Sequence, residues 1–126
     1  MRYLCLAYEE EAKLNCLSKA EWEALRAETL AYVEKLRAMG VLIAAEPLQT
    51  VRTAATVRVR QNKVSITDGP FAETKETLGG YFLINVRNRD EALKVAAEWP
   101  SARLGSIEVR PIADGLPQDQ RYAQQL

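Results

Sequence analysis

The segment Asp68-Gly69-Pro70-Phe71-Ala72-Glu73-Thr74-Lys75-Glu76 concentrates four ionisable side chains on a stretch rich in turn-forming residues. A carboxylate there can do proton chemistry if partial burial raises its pKa, so Asp68 is the predicted general base. Lys75, or Arg110 further along, can hold an anionic group or stabilise a developing oxyanion. Glu73 or Glu76 would serve as a second acid or orient the lysine. Tyr8 and Tyr81 can add hydroxyls to the same space, or simply pack in the core. A purely structural reading is also open. In it Asp68 bonds the amides of its own turn, Gly69 and Pro70 set the turn, and Phe71 anchors the loop in the core. Glu73, Lys75 and Glu76 are then solvated charges, and Gly79 and Gly80 permit a bulge or a close backbone approach.

Histidine is absent from all 126 residues. Serine–histidine and cysteine–histidine nucleophiles are therefore excluded, as is any zinc site that needs imidazole. Proton transfer falls to carboxylate, lysine, tyrosine or cysteine. Asp68, Glu73 and Glu76 offer hard oxygen ligands, but their spacing matches no EF-hand-like loop. No metal and no cofactor are predicted.

The elements that must position these groups are legible from periodicity. Residues 2–8 alternate as a strand, with Leu4, Leu6 and Tyr8 on one face and Tyr3, Cys5 and Ala7 on the other. Residues 9–17 read as a loop. Ser18-Lys19-Ala20-Glu21 is a capping box that opens a helix over 19–39. Its stripe is Trp22, Leu25, Thr29, Tyr32, Val33 and Leu36, and Gly40 stops it. Val41 to Ala45 reads as a buried strand. Residues 55–60 and 63–67 alternate around Gln61-Asn62 as a half-exposed hairpin. Residues 81–86 form a strand apolar on both faces. Asn88 caps a second helix whose predicted buried face is Leu93, Ala96 and Ala97, ended by Trp99-Pro100. Gly105 to Ile112 is the last strand.

The order is β-α-β, a hairpin, then β-α-β, which predicts a single α+β domain over 1–112, ferredoxin-like with an inserted β-hairpin. Residues 113–126 form a polar C-terminal tail. Two helices cover one face of such a sheet, yet 3–8 and 81–86 carry apolar side chains on both. A large exposed apolar face marks an interface. A second copy is the simplest cover, so a homodimer is predicted; a closed pocket or the tail folding across are the other ways to cover it.

Charge narrows the partners. Lysine plus arginine and aspartate plus glutamate each number 17, so there is no basic surplus for phosphates, and no nucleic acid is expected. No run of ~20 apolar residues exists for a membrane span. The opening apolar run is too short for a secretion signal, and Cys5 and Cys16 have no CxxC spacing, which predicts reduced thiols and a cytoplasmic location.

The Asp68–Glu76 segment, continued by Leu78-Gly79-Gly80-Tyr81-Phe82-Leu83-Ile84, resembles the signature of the DGPF-type branch of the YCII-related family. Leu48-Gln49, Thr56-Val57-Arg58-Val59 and Glu108-Val109-Arg110-Pro111-Ile112 are similar to the pattern of the same branch, so the resemblance spans essentially residues 1–112. It implies a ferredoxin-like domain whose sheets pack face to face in a dimeric α+β barrel. It implies no inherited reaction. The branch that resembles enzymes carries a His–Asp pair, and this chain has only Asp68 to stand for the acid. DGPF-type relatives are often associated with alternative sigma factors, which implies a regulatory setting. Three functions follow. The first is an enzyme doing carboxylate-mediated proton transfer on a small organic acid or lactone. The others are a non-catalytic small-molecule-binding or regulatory dimer, and a structural partner for another protein.

Overall fold

In the computed structural model, which describes residues 1–115, alternation at the N-terminus builds strand β1 (Arg2–Glu9). A short helix α1 (Glu11–Asn15) follows where a loop was expected. It is one turn long, too short to show a period, and is held by the Glu10 carbonyl accepting from Lys13 and Leu14 amides at 3.0 and 3.2 Å. Buried Leu14 anchors it.

Helix α2 (Lys19–Ala38) starts at the predicted capping box. The Glu21 amide donates to Ser18 Oγ at 3.1 Å and the Ser18 amide to Glu21 Oε1 at 3.0 Å. Gly40 ends it at φ +71°, in the left-handed region that favours glycine. Only the second half of its stripe meets the core, through Tyr32, Val33 and Leu36, and Trp22 stands exposed on the first turn.

Strand β2 (Leu42–Pro47) leads through a 3-10 turn (Val51–Thr53) into the hairpin β3 (Ala55–Arg60) and β4 (Lys63–Asp68). Gln61 and Asn62 sit at φ 51° and 62°, as a two-residue turn matched to strand twist requires. Strand β5 (Thr77–Asn85) starts four residues earlier than alternation suggested. Its first turns pair with Glu9, Tyr8 and Ala7 across a bulge, where glycines carry no side chain to alternate.

Helix α3 (Arg89–Ala97) has its predicted cap, the Glu91 amide donating to Asn88 Oδ1 at 2.9 Å. Its buried face is Ala92 and Ala96, while Leu93 and Ala97 are exposed, a rotation from the predicted set. Alanines let the helix lie close to the sheet, where a leucine would hold it off. A 3-10 turn (Pro100–Arg103) then delivers β6 (Gly105–Pro111).

Strands β1, β2, β5 and β6 form one antiparallel sheet in the order β2-β5-β1-β6, the ferredoxin-like arrangement. Strands β3 and β4 form a separate two-stranded sheet. On the helix side, Tyr3, Cys5, Phe82 and Ile84 are buried with Leu36, Ala92 and Trp99. Phe82 stacks on Trp99 with ring centroids 3.9 Å apart, and Tyr32 meets Trp99 edge-on at 5.8 Å. The Tyr32 hydroxyl donates to the Val95 carbonyl at 2.8 Å, which satisfies its polar end. The other face carries Leu4, Leu6, Tyr8, Tyr81 and Leu83, all half-buried, and no helix lies over it among the described residues. Both apolar faces predicted for β1 and β5 are therefore present, one covered and one left open by the described residues; the predicted C-terminal tail lies outside them from residue 116 onward.

Candidate functional site

At the Tyr8 end of the open sheet face, the chain from Leu48 to Val57 and the loop after β4 enclose a half-open groove of about 820 Å³. Its walls are mostly apolar, with Val51, Val57, Pro70, Phe71 and Leu78 among them. Such a lining, broken by a few polar groups, is the usual make-up of a small-molecule site. Tyr8, Gln49, several threonines and Glu76 supply the polar groups.

Local chemistry explains how the walls are set. The Glu11 carboxylate accepts from Thr50 Oγ1 at 3.0 Å and from the Val51 amide at 3.1 Å, tying the 3-10 turn to α1. The Gly69 amide donates to the Ala54 carbonyl at 2.7 Å, and Thr56 Oγ1 donates to the Gly69 carbonyl at 2.9 Å, which fixes the root of the hairpin. Gly69 lies at φ +104°, a conformation that glycine alone adopts without strain. Arg58 donates to the Phe71 carbonyl at 3.2 Å, and Thr74 Oγ1 to the Glu76 carbonyl at 2.6 Å. The ring of Phe71 is not buried in the core, as the structural reading of the loop required; it is 79% exposed at the lip of the groove.

The predicted site residues divide into those brought to the groove and those kept from it. Tyr8 and Glu76 line it, and Glu76 Oε1 accepts from Ser106 Oγ at 2.7 Å. Asp68 is exposed on the last residue of β4 beside the groove's root, outside its wall, and its carboxylate accepts no bond from the amides of its own turn. Glu73 belongs to a smaller niche of about 300 Å³, shared with Arg52, Thr74 and Thr77. Lys75 points to solvent, 4.0 Å from Glu10. Tyr81 is half-buried on the open face away from the groove. Arg110 is exposed on that face too, 3.7 Å from Glu108. Neither cation proposed for an anionic substrate reaches the groove within one chain.

Residues 48–57 make up much of the wall, and no period marks the part before β3. The signal that could have found them was their fragmentary family pattern, Leu48-Gln49 and Thr56-Val57, which lies on the groove.

A second feature lies beyond the groove. The β1–β5 register jumps between Ala7 and Tyr8, so that Gly79 is the extra residue of a bulge. The Glu9 carboxylate occupies the place where a side chain on Gly79 would stand. Burial raises the Glu9 pKa above its ordinary range, and the neighbouring charge of Glu11 adds to that shift. Cys5, fully buried, has its thiol pushed up to about 12 by the same desolvation and is chemically inert.

A four-stranded antiparallel sheet with one helix-covered face, an inserted hairpin and a groove at its other face defines a small α+β domain of the ferredoxin-like type. The chain belongs to the YCII-related domain family, whose model matches residues 1–115. It is 38% identical over 115 residues to an uncharacterized protein of Rhizobium meliloti (strain 1021), covering 90% of this chain and 93% of that one. Its fold is similar to that of 5-chloro-2-hydroxyhydroquinone dehydrochlorinase (TftG) from Burkholderia phenoliruptrix AC1100, solved in complex with 2,5-dihydroxybenzoquinone. The TM-score is 0.53, with 17% identity over 89% of this chain and 93% of that protein.

Proposed function

We propose that this protein is a dimer that binds a small, uncharged, hydroxyl-bearing organic compound in the groove and moves a proton on it, with Glu76 as the acceptor. The observation that carries the reading is the groove's inventory. Among the described residues its lining holds one carboxylate, Glu76, and no lysine or arginine. An anionic ligand would meet repulsion there and find no counter-charge, which argues for an uncharged hydroxylated compound or lactone over a free organic acid. A ligand hydroxyl gives the carboxylate a donor, and the apolar walls with Phe71 suit a flat ring. The fold shared with a dehydrochlorinase that takes a dihydroxybenzoquinone supports chemistry on a compact oxygenated ring. The Ser106 bond to Glu76 orients the carboxylate and leaves a second oxygen for the ligand. That same bond favours a second reading, a binding module in which Glu76 only recognises a hydroxyl.

A panel of uncharged phenols, hydroquinones and lactones, screened by thermal shift, tests binding. Deuterium uptake at the ligand's acidic carbon in heavy water, followed by NMR, tests proton transfer. Glu76→Gln is expected to bind within a few-fold of the native protein while losing ~10²–10⁴-fold of the exchange rate. A panel in which only carboxylates bind would overturn the ligand class. Exchange unchanged in Glu76→Gln would remove Glu76 as the base, and binding without any exchange would establish the binding-module reading.

A further inference from the structure

The smaller niche is built by two segments that meet only in the folded chain. Val51 and Arg52 come from the 3-10 turn, Glu73 and Thr74 from the loop after β4, and Thr77 opens β5. The turn is held by the Glu11 carboxylate, which accepts from the Val51 amide at 3.1 Å. The loop is held by the Gly69 amide, which donates to the Ala54 carbonyl at 2.7 Å. Both sides of the niche are therefore set by the fold. At about 300 Å³ it stands at the small end of ligand sites. Val51, Pro70, Thr74 and Thr77 also line the groove, so the two spaces share a wall.

Its charges are opposite, and neither is matched within the chain. Among the described residues the side chains of Arg52 and Glu73 make no hydrogen bond and no ion pair, with each other or with any neighbour. Elsewhere such groups close on one another, as Arg2 does on Asp114 and Arg103 on Glu28, both at 2.7 Å. The threonines sharpen the polarity. Thr74 Oγ1 donates to the Glu76 carbonyl at 2.6 Å and Thr77 Oγ1 to the Glu9 carbonyl at 3.4 Å. A hydroxyl has one proton to give, so both oxygens face the niche with lone pairs alone. Glu73, Thr74 and Thr77 thus form an acceptor side, and the Arg52 guanidinium, which only donates, forms the other. Val51 and Pro70 supply apolar surface in the same space.

We propose that the niche binds a small free α-amino acid, its carboxylate on Arg52 and its ammonium group on Glu73 and the two threonine oxygens. A simple anion would meet the Glu73 charge and a simple cation the guanidinium. A ligand with both charges on one carbon satisfies both sides and brings no net charge. The guanidinium fork takes a carboxylate through two parallel bonds. The ammonium has three protons, and the acceptor side offers three groups to receive them. The volume corresponds to about ten waters, which admits an amino acid with a short aliphatic or hydroxyl side chain against Val51 and Pro70. This site goes beyond the reaction proposed for the groove, since neither Tyr8 nor Glu76 lines it.

The full chain, isotope-labelled, is titrated by NMR with glycine, L-alanine, L-serine and L-valine. Parallel titrations use N-acetyl-L-alanine, which lacks the ammonium, and L-alaninamide, which lacks the carboxylate. The expected result is saturable movement of the Arg52, Gly69, Glu73, Thr74 and Thr77 amide signals, with both blocked compounds binding ~10–100-fold more weakly than alanine. Arg52→Gln is expected to abolish the preference for alanine over alaninamide and keep that over N-acetylalanine. Glu73→Gln is expected to do the reverse. Both side chains are exposed, so neither change threatens the fold, and the blocked compounds test the native protein in any case. No saturation by any of the four amino acids overturns the site. Signals moving at Tyr8 and Leu78 but not at Arg52 and Glu73 would put the ligand in the groove and overturn it too. Blocked compounds that bind as well as alanine would refute recognition through two charges.

Discussion

Glu9 is a carboxylate whose position was decided by a neighbour with no side chain. It sits half-buried over Gly79, and its folded-state pKa is raised above the ordinary 4.5, first by burial and then by Glu11. A raised carboxyl pKa means the folded chain holds its proton more tightly than the unfolded chain does. Stability therefore falls as pH rises from 4.5 through the raised value, and the loss persists above it. Glu9→Gln removes the charge that is penalised. The variant is expected to melt higher than the native protein at pH ~7, with the gap shrinking on acidification toward the ordinary carboxylate range. Paired melting curves across that range check it, and a variant less stable at neutral pH would mean the Glu9 charge is satisfied. Nothing in Glu9-Glu10-Glu11 announces this. Glu10 and Glu11 find cationic or hydroxyl partners through the folded loops, and Glu9 finds burial.

Elements follow local rules wherever those rules are strong. Both helix caps, the glycine stop and the hairpin turn were legible because each is a contact between residues at most four apart. Less was legible where glycines interrupt the alternation near the start of β5, or where burial depends on how closely elements approach, as with Leu93 and Ala92 on α3. Gly105 shows the second case. A side chain there would collide with the Tyr8 carbonyl and lie 3.2 Å from Glu9 Cα, all backbone atoms that cannot turn aside. Gly105→Ala is expected to cost ~1–3 kcal/mol by forcing β6 away from β1. Urea unfolding measures the loss. A neutral substitution would show that the β1–β6 pairing gives way locally.

For the molecule as a whole, one sheet face and the β3–β4 hairpin stand uncovered among the described residues. Among these residues the helices cover a single side of the sheet, and the hairpin strands pair only with each other. If association covers both, folding and association are linked, and the melting temperature depends on protein concentration. A melting temperature that rises steadily with concentration over a hundredfold range is the expected outcome. One that stays constant, together with a mass of one chain in solution, would contradict the linkage.

By itself, the amino-acid sequence determined the order of elements, the ferredoxin-like class and the presence of two apolar sheet faces, since these rest on periodicity and short-range capping. It also marked the Asp68–Glu76 loop as the chemically unusual segment. Only the tertiary structure decided which of that loop's charges share a space. Glu76 and Tyr8 meet at the groove, while Asp68, Lys75 and Arg110 are turned to solvent. The reason is geometric: Glu76 and Tyr8 are 68 positions apart in the chain and meet only because β1 sets Tyr8 opposite Leu78 on one side and opposite Ser106 on the other, and Ser106 bonds Glu76.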